Sequence, residues 1–395
     1  MPNTVARDAE RDLMIATRRD LHRHPELAFQ ERRTAGIVAE RLVASGFDVR
    51  TGVAETGVIG TLTGGAGSGP TLLLRADMDA LPVQEECTHD FVSGTPGLMH
   101  ACGHDAHVAM GLAVAARLAR GRDQWRGTVR YVFQPGEEGG GGAARMVEEG
   151  VLDGVDAALG LHMWLGLPSG VVGVADGPMM ASSRDFEIEI LGRGGHGAIP
   201  QETIDATLVA AHVVVALQSV VSRNISPLDT AVVSVGSLQA GSAPNVIADS
   251  AALKGTVRAF SDEVAAEIRT RIDKIVQGVC EAFGARSVVR FAEAGYPATV
   301  NDAGIAQLVR SAALDVVGPD RIRTGDDVRT MASEDFSEVI RRVPGCYFFV
   351  GARNETIGAV HPHHSPRFDL CEDAMSIGVE VMERAALAYL GGAQR

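Results

Sequence analysis

The sequence has no disulfide framework, no excess of positive charge and no long apolar run. Its five cysteines (Cys87, Cys102, Cys280, Cys346 and Cys371) are odd in number and widely scattered, which fits a reducing compartment better than a set of bridges. The net charge of −14 argues against nucleic acid or an anionic membrane surface as a partner. No apolar run approaches the roughly 20 residues needed to span a bilayer. The first 26 residues are charged throughout and lack the apolar core of a secretory leader. No nucleic acid, no membrane and a cytoplasmic location are therefore the default expectations. Aromatic residues make up 5% of the chain, which disfavours a pocket built mainly on ring stacking.

What is present is organised around residues 131–146, YVFQPGEEGGGGAARM. A strand-like run over 128–133 stops at Pro135 and Gly136. Two adjacent carboxylates follow, Glu137 and Glu138, then four glycines and a helical pattern. Neighbouring side chains on an extended or turning backbone point in different directions. One carboxylate can bind a cation while the other faces a substrate, or the pair can form a solvated acidic turn.

With 395 residues the chain is long enough for two domains at about 100–200 residues each. Helical periodicity covers 8–23 and 32–45. Between them His22 and His24 read either as capping and packing groups or as ligands. Strand patterns follow at 57–63 and 71–75, joined by GGAGSGP. That loop lacks the Lys-Ser/Thr pair and the following helix of a phosphate cradle, so it is a turn. The second strand runs into ADMDALP, where Asp77 and Asp79 alternate on one face and would repel each other without a cation or donors nearby.

The stretch MHACGHDAHVA then leads into a helix over 105–119 and holds His100, Cys102, His104, Asp105 and His107. A thiolate and an imidazole two residues apart can chelate a borderline metal such as zinc, manganese, nickel or cobalt. A further apolar strand over 156–161 places His162 just beyond its end, where open α/β sheets collect their sites. From residue 182 the pattern becomes β-α-β-β-α-β, a ferredoxin-like unit. Within it His196 lies in the turn GRGGHGAIP and Asn245 in GSAPNVIAD. Both can donate to a substrate or serve plain turns. The first domain resumes near Thr299, and its last stretch carries His361, His363 and His364 in VHPHHSPRFDL, followed by a helix over 372–390.

RADMDALP, HACGHDAHVA, QPGEEGGGGA, GLHMW, GRGGHGAIP, GSAPNVIAD and HHSPRFD occur in this order. Together they resemble the metal-dependent amidohydrolases related to aminoacylase and carboxypeptidase G, in the branch with hippurate hydrolases and auxin-conjugate hydrolases. The resemblance implies a three-layer α/β/α catalytic domain (residues 1–181 and 299–395) with an inserted ferredoxin-like domain (182–298). It implies two divalent metal ions, manganese, zinc, cobalt or nickel, held by Cys102, His104, Glu138, His162 and His364. Glu137 is then the general base and Asp79 a carboxylate that orients a ligand. His196 becomes the donor to the tetrahedral oxyanion in the partner subunit of a homodimer formed through the inserted domain. Asn245 and Arg258 become contacts to the substrate carboxylate. The chain reads Asp77-Met78-Asp79 where many relatives outside the branch have His-x-Asp, which leaves Asp77 and the bridging ligand unassigned. The activity implied is hydrolysis of N-acyl amino acids or short peptide-like amides. Two other readings are a thiol hydrolase with Cys102 as nucleophile and a non-catalytic metal-binding member of the fold.

Overall fold

The computed structural model describes residues 4–293 and 295–391 and divides them into two compact units. One runs up to Met179 and takes in Val300–Arg329 and everything from Asp335 onward; the other is Met180–Thr299 with Thr330–Glu334. The segment 330–334 groups with the second unit.

The first unit is built on an eight-stranded sheet. Its strands include β1 (Asp48–Val53), β2 (Gly57–Thr63), β3 (Thr71–Asp77), β4 (Thr128–Gln134) and β5 (Ala157–Pro168). Across the sheet the order is β1-β2-β4-β3-β5, then Gly345–Arg353, Val172–Gly173 and Ile322–Arg323. The middle is parallel, β4 with β3, β3 with β5, and β5 with Gly345–Arg353. Such strands are buried on both faces and read as near-continuous apolar runs, as TLLL and GCYFFVGA do. Alternation still sorts their side chains. Leu72, Leu74, Ala76, Val129, Tyr131, Phe133, Phe348 and Val350 join one core with the helices α1 (Thr4–Arg23), α2 (Arg32–Ala44) and α3 (His104–Arg120), and with Ala303–Val317 and Met375–Tyr389.

Helix α3 is almost wholly buried, which its run of Ala, Val, Met and Leu on every side requires. The helix expected over 372–390 begins as a short turn, Glu372–Ala374, before Met375–Tyr389. The expectation for His162 is also corrected: β5 continues through it to Pro168. Its partner Gly345–Arg353 keeps pairing past that point, with Phe349 opposite His162 and Gly351 opposite Trp164.

The second unit contains strands Ser182–Leu191, Ala231–Ala240, Ser250–Ala259 and Arg286–Phe291 and helices Ala206–Ser219 and Asp262–Ala282. Taken in chain order as first to fourth, the strands lie second-third-first-fourth across the sheet, all antiparallel. This is the ferredoxin-like arrangement. Both helices begin at caps, Asp205 on Thr207 and Leu208 and Ser261 on Val264, which satisfy amides of the first turn. One reading of the sequence fails here. The 19-residue stretch Ala206–Asn224 is apolar and long enough to cross a membrane by length and composition. Val209, Ala210, Val213 and Leu217 pack into the unit's core, while Leu208 and Val215 on its other side are exposed.

Candidate metal centre

A lone arginine within the apolar run of β3 sets up the site. Arg75 is buried, and its Nε donates to Gln134 Oε1 at 2.9 Å. Its other nitrogens donate to Asp77 Oδ2 at 2.6 Å and Asp335 Oδ1 at 3.1 Å. Gln134 also donates to Asp335, at 2.7 and 2.9 Å. Asp77 accepts from His107 Nδ1 at 2.6 Å, and His107 Nε2 accepts from the Met163 amide at 2.9 Å. Both nitrogens of His107 are thus committed, the tautomer is set, and this imidazole is a strut between α3 and β5. Burial alone would raise the Asp77 pKa, but Arg75, His104 and His107 hold it well below the usual carboxylate range.

Beside this frame the candidate ligands converge. Cys102 and His104 flank Gly103, whose φ of 90° lies in the left-handed region that favours glycine. His104 Nδ1 donates to the Asp79 carbonyl at 2.9 Å, which turns Nε2 inward, and among the described residues that buried atom has no hydrogen-bond partner. His162 likewise donates from Nδ1 to the Met163 carbonyl at 2.9 Å, and its Nε2 lies 3.4 Å from Cys102 Sγ. His364, held at φ 66°, brings Nε2 to 3.1 Å from Glu138 Oε1. Among the described residues Glu138 Oε1 is also a buried oxygen without a hydrogen-bond partner of good geometry. Glu137 is buried, with Oε2 4.0 Å from His104 Nε2. Asp79 holds both glutamates through the backbone: one carboxylate oxygen accepts from the Glu137 amide at 3.0 Å and the other from the Glu138 amide at 2.9 Å.

The ligand atoms form overlapping groups, each within 4.8 Å: Cys102 with His104 and His162, Cys102 with Glu138 and His364, and His104 with Glu137 and Glu138. Overlap of this kind leaves room for more than one cation. The charges agree with cation binding. Burial, then Glu138, Glu137 and Asp77, push the Cys102 thiol pKa well above its usual value. Burial would lower that of His104, but Asp77, Asp79 and Glu138 drive it up to about 10. Burial and the neighbouring histidines hold His162 well below its ordinary value. A thiol disfavoured as thiolate, an imidazole kept neutral and a histidine favoured in its charged form are reconciled by positive charge at their centre. Sulfur, imidazole and carboxylate donors fit a borderline divalent ion such as zinc, cobalt or nickel.

The profile of peptidase family M20/M25/M40 matches residues 73–388. The chain belongs to this family. It is accordingly a hydrolase of carbon–nitrogen bonds. An N-acyl-L-amino acid amidohydrolase of Geobacillus stearothermophilus is 46% identical over 289 residues, 73% of this chain and 78% of that protein. The IAA-amino acid hydrolase ILR1-like 4 of Arabidopsis thaliana is 40% identical over 96% of this chain and 86% of its own length. Among solved structures, the Bacillus subtilis YXEP protein, a dinuclear metal binding peptidase from the M20 family, superposes with a TM-score of 0.83 at 33% identity. The match covers 98% of this chain and 100% of that one.

Three other histidine positions were open in the sequence of this M20 chain. His363 Nε2 contacts the Met163 carbonyl at 3.0 Å and its ring stacks on Trp164, so it is a packing group. His24 is exposed and bonds the Asp20 carbonyl at a helix end, while His22 is buried against Asp105 and Glu85. The remaining predicted site residues lie in the second unit. His196 is exposed on a two-stranded ribbon, opposite Val246. Its Nδ1 accepts from the Ala198 amide at 3.0 Å, which leaves Nε2 carrying the proton. Asn245 is exposed and its carbonyl accepts from Gly197 at 2.8 Å. Arg258 is half-buried; its guanidinium bonds Thr256 Oγ1 and the Val257 carbonyl, and among the described residues it has no carboxylate in ion-pair contact. Sequence reasoning missed Arg75, Gln134, Asp335 and Glu31. Glu31 accepts from Gly136 and Thr56 beneath the glutamate loop. An arginine inside TLLLRA was a usable signal, since a charge in a strand buried on both faces demands a partner. Nothing marks Glu31.

Proposed function

We propose that the chain hydrolyses the amide bond of N-acyl amino acids, or of short peptide-like amides, to a carboxylate and an amino acid. The carrying observation is the gathering of Cys102, His104, Glu138, His162 and His364 in overlapping groups beside the buried Glu137. Those five side chains would hold two divalent ions, manganese, zinc, cobalt or nickel. Bound there, such ions supply the positive charge that acidifies a water and polarises the scissile carbonyl. Glu137 takes the water's proton on a carboxylate oxygen as the water oxygen bonds to the carbonyl carbon. It returns the proton to the amide nitrogen as the carbon–nitrogen bond breaks. Asp79 acts by positioning, through the amides of Glu137 and Glu138 and through its own carbonyl on His104.

His196 is the proposed donor to the oxyanion in the site of the partner subunit, a role supported by the proton on its exposed Nε2. Asn245 and Arg258 are the proposed contacts to the substrate carboxylate, to which an arginine without a carboxylate partner is suited. A homodimer through the inserted unit is supported by the exposed apolar side chains Leu208 and Val215 on one helix and Leu238 on an edge strand of the same unit. The thiol-nucleophile alternative is disfavoured by burial and by three carboxylates that keep Cys102 protonated. It also gives no task to Glu137, Glu138, His162 or His364. The test is a hydrolysis screen of N-acyl amino acids on metal-stripped protein, repopulated separately with manganese, zinc, cobalt and nickel. Turnover that returns with metal supports the reading; turnover that survives stripping refutes it.

A further inference from the structure

A separate group of ligand-type side chains lies where α1 meets the loop between β3 and α3. His22 on α1, and Glu85 and His89 in that loop, bring ligand atoms within 4.8 Å of one another. His22 Nε2 is 3.3 Å from Glu85 Oε1, and His89 Nε2 is 3.4 Å from the same oxygen. Zinc bonds of about 2.0–2.1 Å at the tetrahedral angle put neighbouring ligand atoms about 3.3–3.4 Å apart. The two nitrogen–oxygen distances, 3.3 and 3.4 Å, match such an edge.

Each member is also oriented from behind. The other nitrogen of His22, Nδ1, lies 2.8 Å from the buried Asp105 carboxylate. Imidazoles that ligate metals are usually set in this way, by a carboxylate on the far nitrogen. Glu85 Oε2 accepts from the Ser93 amide at 2.6 Å, so Oε1 is the oxygen turned to the histidines. The His89 ring is stacked on Phe91, with centroids 3.7 Å apart and planes 10° from parallel. Both His89 nitrogens are shielded from solvent, yet among the described residues neither has a hydrogen-bond partner. An imidazole left in that state is costly unless something binds it.

We propose that His22, Glu85 and His89 form a third divalent-metal site, distinct from the pair, that takes zinc, cobalt or nickel. Two imidazoles and one carboxylate oxygen suit these borderline ions, and are poor in the oxygens that magnesium or calcium requires. A bound ion would tie α1 to the loop and, through Asp105, to the first turn of α3, next to His104.

The test is a cobalt(II) titration of the metal-stripped full-length protein, followed by visible absorption and by bound cobalt per chain after equilibrium dialysis. Wild type is expected to take up three equivalents. His89→Ala and Glu85→Gln are each expected to take up two, with hydrolysis at two equivalents unchanged. A Cys102→Ser, His162→Ala double variant, which removes ligands of the pair, is expected to retain one tight equivalent that disappears when His89→Ala is added. That arm separates this inference from the reading of the pair, and the equivalent retained by the double variant is read with the loop intact. Cobalt uptake by the double variant that is indifferent to His89→Ala would overturn the proposal and leave a hydrogen-bonded ion cluster in its place.

Discussion

Replacing Asp79 by Asn tests how the glutamate pair is held. The two oxygens of Asp79 accept from the amides of Glu137 and Glu138 at 3.0 and 2.9 Å, and one lies 3.4 Å from His104 Nδ1. Asparagine keeps the shape and one acceptor, but turns an NH2 group towards a backbone N–H. One hydrogen bond to a charged acceptor is lost, worth about 1.5–3 kcal/mol, and a buried amide is left facing another donor. Since 1.4 kcal/mol is about tenfold in an equilibrium constant, a loss of about 2 kcal/mol corresponds to roughly thirty-fold. That agrees with the 10–100-fold, approximately, that follows removal of a group orienting metal ligands. The assays are metal affinity by competition with a chelator and kcat/KM on a hydrolysed N-acyl amino acid. Asp79→Asn is expected to lose about ten- to a hundred-fold in both, with circular dichroism unchanged. Metal affinity and kcat/KM both within twofold of wild type would refute the positioning role.

Glu137→Gln is expected to keep its metal, measured by elemental analysis, and to lose about 100- to 10,000-fold in kcat, the usual worth of general acid–base catalysis. Gly142→Ala is expected to lower the thermal midpoint and activity together. A Cβ at that position would stand 1.6 Å from the Pro135 carbonyl oxygen, so the loop carrying Glu137 and Glu138 must shift, at a cost of about 1–3 kcal/mol. The pH dependence of stability in metal-stripped protein should carry the mark of His22. Burial would lower its pKa, but hydrogen bonds to Asp105 and Glu85 raise it from 6.5 to about 9. A raised pKa means stability present in full below 6.5 and lost as pH rises through about 9, amounting to about 3 kcal/mol at about 1.4 kcal/mol per pH unit. Urea unfolding of wild type and His22→Gln at pH 6 and pH 9.5 checks this: the variant should lack most of the difference.

Much of the architecture was legible because it is written in short-range patterns. The inserted unit announced itself by strands of period two and helices of period 3.6 in the order β-α-β-β-α-β. Membership of the amidohydrolase family was legible in seven motifs, because ligand chemistry restricts residue type at each of them. The glutamate pair, the Cys-x-His pair and His162 stand out as candidates without coordinates for the same reason.

What folding alone decided depends on contacts between residues far apart in sequence. The histidine segment before Ser365 has the same residue type at 361, 363 and 364. Stacking on Trp164 commits His363, and a left-handed backbone turns His364 towards Glu138. Asp77, the last residue of β3, and Asp79 just beyond it look alike in the sequence. Arg75 and His107 claim the first and the backbone of the glutamate loop claims the second. His162 sits within β5 rather than beyond it because a strand nearly two hundred residues later pairs alongside. The cluster of His22, Glu85 and His89 likewise exists only once α1 meets the loop before α3. Residue type along the chain determined which chemistry is possible here; distance and orientation in space determined which of several identical side chains performs it.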